Sequence, residues 1–314
     1  MASHKKAYAA AMLYACIIGF AFMFVKITLT VASPIDSLAH RFTIAFFAAT
    51  LILVFNKISI KIKMKDVLPI LCLALLYPTL FFTFQVFGLV YTSSSEAGII
   101  QATIPIFTLI LAAFVLKEYA SPVQAVCTFL SVAGVIFIFI MNNVSEASYS
   151  VKGTVLILLS SLASALYNVL ARKLTRQYSL FTLTYLMTFF AFIVFNSIAI
   201  TDHIIEKSVP SFFTPFLSIP FVVSIIYLGV LSSLCTAFLS NYTLSKIEAS
   251  KMSVFSNFAT LITVIAGVMF LHETIRYYHI IGTIAILAGV IGTNYFGKNR
   301  RVTKEMHEVK EMNT

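Results

Sequence analysis

Residues 116–136 read LKEYASPVQAVCTFLSVAGVI, and residues 271–291 read LHETIRYYHIIGTIAILAGVI. Leu116-Lys117-Glu118 precedes Leu271-His272-Glu273 by 155 positions, and Ala133-Gly134-Val135-Ile136 precedes Ala288-Gly289-Val290-Ile291 by the same interval. One offset shared by two neighbouring apolar segments marks a duplicated unit rather than a chance likeness. More weakly, Gly19 to Lys26 resembles Ala165 to Arg172 at an offset of 146. The difference between the offsets falls in the gap over residues 201–219, which holds Pro210 and Pro215 and runs into Pro220.

The repeated unit is built for lipid. Of 314 residues, 60% are hydrophobic and 11% charged, with a mean hydropathy of +0.95. A soluble domain carries roughly 25% charged residues, because its outside must be wetted. Apolar runs bounded by charged or Pro/Ser-rich gaps predict ten transmembrane helices, at about 7–30, 36–55, 67–90, 96–116, 122–141, 152–171, 180–200, 220–241, 251–271 and 279–297. The expected fold class is an all-α integral membrane protein of two five-helix repeats, over residues 1–142 and 143–297, followed by a polar tail at 298–314. Five is odd, so the two copies cross the membrane in opposite senses. Inverted repeats place a site near the midplane between them.

Orientation follows from Lys and Arg. With the N-terminus inside, 17 of the 22 fall on the inner side and 5 (Lys26, Arg41, Lys152, Lys207 and Arg276) on the outer side. The twelve acidic residues split evenly, and it is the basic bias that sets topology. Both termini are therefore expected in the cytoplasm. The net charge of +10 lies in short gaps between apolar runs, a membrane-orientation signal rather than a nucleic-acid stripe. The apolar run from Ala7 to Val31 is about twice the length of a signal-peptide core, which predicts an uncleaved first helix. Cys16, Cys72, Cys127 and Cys235 fall inside apolar segments without paired spacing and read as small buried hydrophobes.

No enzyme motif is present: His272-Glu273 lacks a second His, since Arg276 stands four residues after His272. No cofactor and no metal is called for. Polar residues inside the spans are the better guide, because each is costly in lipid unless it faces a cavity or another helix. Helix nine carries Ser253, Ser256, Asn257, Thr260 and Thr263 at steps of one, three and four; helix six carries Ser160, Ser164 and Asn168 with Tyr167 alongside. Helix eight offers Ser233, Thr236, Ser240 and Asn241, helix three Tyr77, Phe84 and Gln85, helix four Gln101, and helix one Tyr14 and Phe22. Most hydroxyls read as glue between helices. The expected cavity lining is Tyr14, Phe22, Tyr77, Phe84, Gln85, Gln101, Tyr167, Asn168, Asn241, Ser253, Asn257 and Thr260.

Lys26, Arg41, Glu96, Glu118 and Glu273 sit at helix ends, where snorkelling or loop pairing would satisfy them. Glu118 and Glu273 are expected to brace the loops before helices five and ten, and Glu96 is the carboxylate nearest a solute route. With no mid-span carboxylate, exchange or facilitated diffusion is favoured over proton coupling. Pro78 and Pro105 each remove a backbone hydrogen bond and predict kinks in helices three and four. Gly134 and Gly289 suggest close helix packing rather than ligand contact.

These residues resemble the drug/metabolite transporter superfamily and, within it, the ten-helix EamA-type proteins. The resemblance is carried over nearly the whole chain by the doubled Leu-x-Glu and Ala-Gly-Val-Ile patterns, the Gly19-to-Lys26 end of helix one and the His40-Arg41-Phe42 start of helix two. It implies a multi-pass carrier of the cell membrane that moves small organic solutes such as amino acids, nucleotide-like metabolites, sugars or drugs, an amino acid being the leading expectation, through a central cavity lined by both repeats, with helices five and ten peripheral. It implies the lipid bilayer as partner, with no nucleic acid and with a homodimer left open. The chain has no Trp, whereas relatives often place one in helix one, so aromatic contacts must come from Phe and Tyr. The alternative class is a non-transporting scaffold or accessory subunit.

Overall fold

The computed structural model describes residues 2–60, 62, 64–116, 122–145, 151–175, 178–206, 209–247, 249–289, 291–292 and 295. Its helices are α1 (Ala2–Thr28), α2 (Pro34–Phe55), α3 (Met64–Tyr91), α4 (Ser94–Gln101 and Ile104–Leu116) and α5 (Pro122–Ser145). The second half follows with α6 (Val151–Leu174), α7 (Leu180–Ile205), α8 (Ile219–Lys246), α9 (Ala249–Leu271) and α10 (Tyr277–Gly289). Among the described residues, seven of these are long and apolar enough to cross a membrane; α5, α9 and α10 contribute shorter apolar stretches. The order matches the segments read from the sequence. Glu118 and the tail at 298–314 lie outside the described residues.

Helix starts are written locally. Ser33 caps α2 by accepting from Asp36 N at 3.1 Å, with Pro34 pre-set for the first turn. Ser93 and Glu96 form a reciprocal capping box at the start of α4, and Ser179 caps α7. The helix faces are sorted by size rather than polarity. On α2, Ala39, Ala45 and Ala49 are buried while Phe47, Leu51, Val54 and Phe55 are exposed; on α1, Ala7, Ala11 and Ala15 are buried while Met12, Leu13 and Phe20 are exposed. Small residues let backbones approach where lipid offers no hydrophobic drive, and large ones face the acyl chains.

The packing of one half reappears in the other. Helix α1 lies along α9, and α6 along α4; α3 packs on α6, and α8 on α1; α2 packs on α8, and α7 on α3. Exchanging one with six, two with seven, three with eight and four with nine turns each pair into its counterpart. The pairs α2–α7 and α4–α9 map onto themselves. The α5–α10 pair stands to one side with its own small core of Ile138 and Ile286 against Ile99, Ala102 and Ile106 of α4. Ser131 Oγ donates to the Ile286 carbonyl at 3.0 Å, and these two residues are 155 positions apart. They are the same position of the two copies, so this contact lies on the approximate two-fold axis.

Three helices are broken near mid-span. In α3 the segment Leu75–Leu80 is π-helical, and Tyr77 leaves the helix altogether at φ −141°, ψ 123°, before a cis bond to Pro78. A residue preceding proline is pushed out of the α region, which explains the extended Tyr77. In α4 the chain turns at Ala102–Thr103; Pro105, having no N–H, cannot bond the Gln101 carbonyl one turn back. Both prolines thus do what the sequence predicts. In α8, Tyr227–Cys235 is π-helical without any proline, an irregularity that sequence reading did not foresee.

Candidate functional site

Helices α1, α3, α4 and α9 meet around a central cavity with room for about one water molecule. Helix α1 contributes Tyr14 and Phe22, α3 contributes Phe81, α4 contributes Gly98 and Gln101, and α9 contributes Thr260 and Thr263. The walls are held by the residues that line them. Gln101 ends the first segment of α4 and donates from Nε2 to Ser160 Oγ of α6 at 2.8 Å. Thr260 Oγ1 donates to the Gly98 carbonyl at 3.0 Å, and Thr263 Oγ1 to the Gly19 carbonyl at 2.9 Å. Gly19 and Gly98 are needed here: a Cβ on Gly98 would stand 2.7 Å from Thr263, and one on Gly19 2.5 Å from Ile262.

Beside the cavity lies a second tier. Tyr77 and Tyr167 stack with centroids 4.8 Å apart, and Tyr14 is within electrostatic range of both. The Tyr167 hydroxyl donates to Asn241 Oδ1 at 2.8 Å, and Asn241 Nδ2 donates to Thr184 Oγ1 at 3.0 Å, tying α6, α8 and α7 together. The Tyr77 hydroxyl is buried near Thr236 and makes no hydrogen bond of ordinary geometry.

Of the residues singled out from sequence, Tyr14, Phe22, Gln101 and Thr260 share this cavity, and Tyr77, Tyr167 and Asn241 form the adjoining tier. Phe84, Gln85 and Asn168 are half-buried or buried and are not among its lining residues. The side chains of Ser253, Ser256 and Asn257 lie outside the described residues.

Arg41 corrects the sequence reading. It was expected at a helix end, snorkelling outward, but it is 1% exposed and turns inward. It stands about 10 Å along α2 from Pro34, too deep to reach the interface cheaply. Its Nε donates to Ser233 Oγ at 2.7 Å, and its Nη2 to Ser232 Oγ at 2.9 Å and the Ser232 carbonyl at 3.3 Å. That carbonyl also accepts from Thr236 Oγ1 at 2.6 Å. The π-helical stretch of α8 thus presents backbone that a regular helix would keep to itself, and such bulges gather at functional sites. The guanidinium carbon lies 3.8 Å from the Phe82 ring centroid. The signal available in the sequence was Ser232-Ser233 at the middle of α8, opposite the His40-Arg41-Phe42 start of α2.

A cluster of charged residues stands at one end of α1, α4 and α9. Glu273 accepts from Ser94 N at 2.6 Å, Ser95 N at 2.8 Å and Ser95 Oγ at 2.6 Å. It therefore caps α4 from 178 positions away rather than only bracing its own loop. Glu96, read as nearest a solute route, is engaged in the capping box and lies 3.6 Å from His279. Lys26 is within electrostatic range of both carboxylates. On the neighbouring face, His203 pairs with Asp36 at 2.9 Å, and His40 Nε2 bonds the Phe212 carbonyl at 2.8 Å.

A helical membrane bundle with a small, mainly apolar cavity between its halves, duplicated broken helices and self-paired halves is the architecture of a secondary transporter. The chain belongs to the EamA-like transporter family, which matches it twice, over residues 5–140 and 151–295. It is 56% identical over 296 residues to the uncharacterized transporter YcxC of Bacillus subtilis (strain 168), covering 94% of this chain and 95% of that one. It is 28% identical over 283 residues to an uncharacterized transporter of Archaeoglobus fulgidus, covering 87% and 92%. A solved crystal structure shares the fold at a TM-score of 0.66 with 14% identity, covering 94% of this chain and 98% of that one. The protein is thus a multi-pass membrane transporter.

Proposed function

We propose that this transporter carries a small organic solute such as an amino acid by alternating access, with residues 1–142 and 143–297 rocking against each other. Both termini face the cytoplasm in this reading. One observation carries it: the central cavity is walled by α1, α3 and α4 of the first half and α9 of the second, so relative motion of the halves must open or close it. Its small size, and the Glu273, Glu96 and Lys26 cluster at one end of α1, α4 and α9, support an arrangement sealed against passage. Aromatic and aliphatic side chains, two threonines and one amide supply the inward surface, which suits an amphipathic solute held without covalent chemistry.

The test is uptake and counterflow in vesicles reconstituted with the purified protein, screened over amino acids and other small metabolites. Transport of a defined solute, lowered by Gln101→Leu and Tyr14→Ala at normal expression, is the expected result. A protein whose melting temperature responds to no solute in the panel, and which moves none, would instead be the scaffold or accessory subunit.

A further inference from the structure

We propose that Arg41 is the anion anchor of the transport site and that the solute is an organic monocarboxylate, amino acids included. This rests on the transport reading above and names the substrate class for the same site. The guanidinium is buried, and among the described residues no carboxylate lies against it. Its Nε and Nη2 are bonded to neutral groups, Ser232 and Ser233, while Nη1 is buried without a hydrogen-bond partner. A cation removed from water and left to neutral acceptors on two of its three nitrogens is costly; a carboxylate on the open edge would offset that cost.

The surroundings fit such a ligand. The bonds from Nε and Nη2 orient the guanidinium, with the Phe82 ring centroid 3.8 Å from its carbon, so the Nη1 edge has a set direction. The Tyr77 hydroxyl, buried beside Thr236 without a hydrogen bond of ordinary geometry, is within electrostatic range of Arg41 and would supply a second donor. Tyr77 and Phe82 pack at 5.3 Å, and Phe82 meets Phe81, which lines the cavity, at 4.7 Å. The anchor is therefore one layer of rings away from the cavity, behind the non-helical Tyr77 of α3. One guanidinium matches one negative charge. The neighbouring basic residue at the bundle end, Lys26, faces Glu273 and Glu96, so a phosphate dianion would find no second cation here. The ammonium of an amino acid would meet the aromatic faces of the tyrosine tier.

The experiment uses the full-length protein in vesicles and in detergent. Thermal stabilisation and counterflow are measured with 4-methylpentanoate, its amide, leucine, leucinamide and glycerol 3-phosphate. The carboxylates are expected to bind tighter than the matched amides by about 30-fold or more, with the phosphate weaker than either carboxylate. Arg41→Lys is expected to keep the preference at lower affinity, and Arg41→Met to abolish it. Should Arg41→Met fail to fold, the wild-type preference and Arg41→Lys decide the matter. Equal response to acid and amide, or a carboxylate preference unchanged in the folded Arg41→Met variant, overturns the assignment while leaving the transport reading intact. A preference for the phosphate overturns the monocarboxylate class. No response to either carboxylate overturns the assignment, while the transport reading stands or falls on the wider solute screen above.

Discussion

At the scale of single residues, the buried polar groups divide by whether they are fully bonded. Asn241 is held by Tyr167 and Thr184 and ties helices together, whereas Arg41 and Tyr77 retain buried atoms without partners. Glu273 belongs to the first kind. Its carboxylate accepts three hydrogen bonds at the start of α4, where a helix terminus favours negative charge. Glu273→Gln keeps the shape but leaves two backbone donors facing an amide that can turn its N–H toward them. We expect a loss of about 1–3 kcal/mol, read as a lower melting temperature in detergent, with Glu96→Gln showing a smaller drop. Sequence made the identity of these residues plain and their partners invisible. Glu273 could be seen to repeat Glu118, but a bond to residues 178 positions away depends on which helices become neighbours. Arg41 was misplaced for the same reason: depth in α2 could be counted, yet the direction of its side chain is decided by Ser232 and Ser233 on another helix.

The elements show which irregularities are written into the chain and which are imposed by packing. Pro78 and Pro105 announce the breaks in α3 and α4 because a missing N–H and a clash with the preceding residue are local facts. The π-helical turn in α8 has no such residue and coincides with the place where Arg41 of α2 bonds Ser232 and Ser233. If the Tyr77 turn is part of the working site, Pro78→Ala should allow α3 to run unbroken. The expected outcome is a melting temperature that holds or rises with transport strongly reduced, measured on the same preparation. The peripheral pair offers the opposite pattern. A side chain on Gly289 would collide with Ser131 and Cys127, so Gly289→Leu should separate α5 from α10 at a cost of about 1–3 kcal/mol. Counterflow per folded molecule should change little, because neither helix lines the cavity.

For the whole molecule, the duplicated pattern at an interval of 155 residues was enough to foresee two similar halves, and the paired packing of the helices agrees with it. What could not be foreseen is which helices of opposite halves embrace, since apolar runs are alike on all sides to a lipid. The orientation remains a proposal with a direct check. In a background lacking the four native cysteines, Asp202→Cys should react with a membrane-impermeant maleimide in intact cells, and Asn56→Cys only after permeabilisation. The reverse pattern would invert the topology. The intimacy of α1 with α9 also has a consequence for how the chain is made. Gly19 meets Thr263, 244 residues later. At 5–20 residues per second, the first helix leaves the ribosome roughly 10–50 s before its main partner exists. During that interval its Gly19 face, shaped for another backbone, is met only by lipid or by whatever escorts the growing chain. Pairs such as α3–α6 and α2–α7 can form earlier, but the joining of α1 to α9 must wait for the end of synthesis, and a bundle lacking that contact is the species most open to premature clearance.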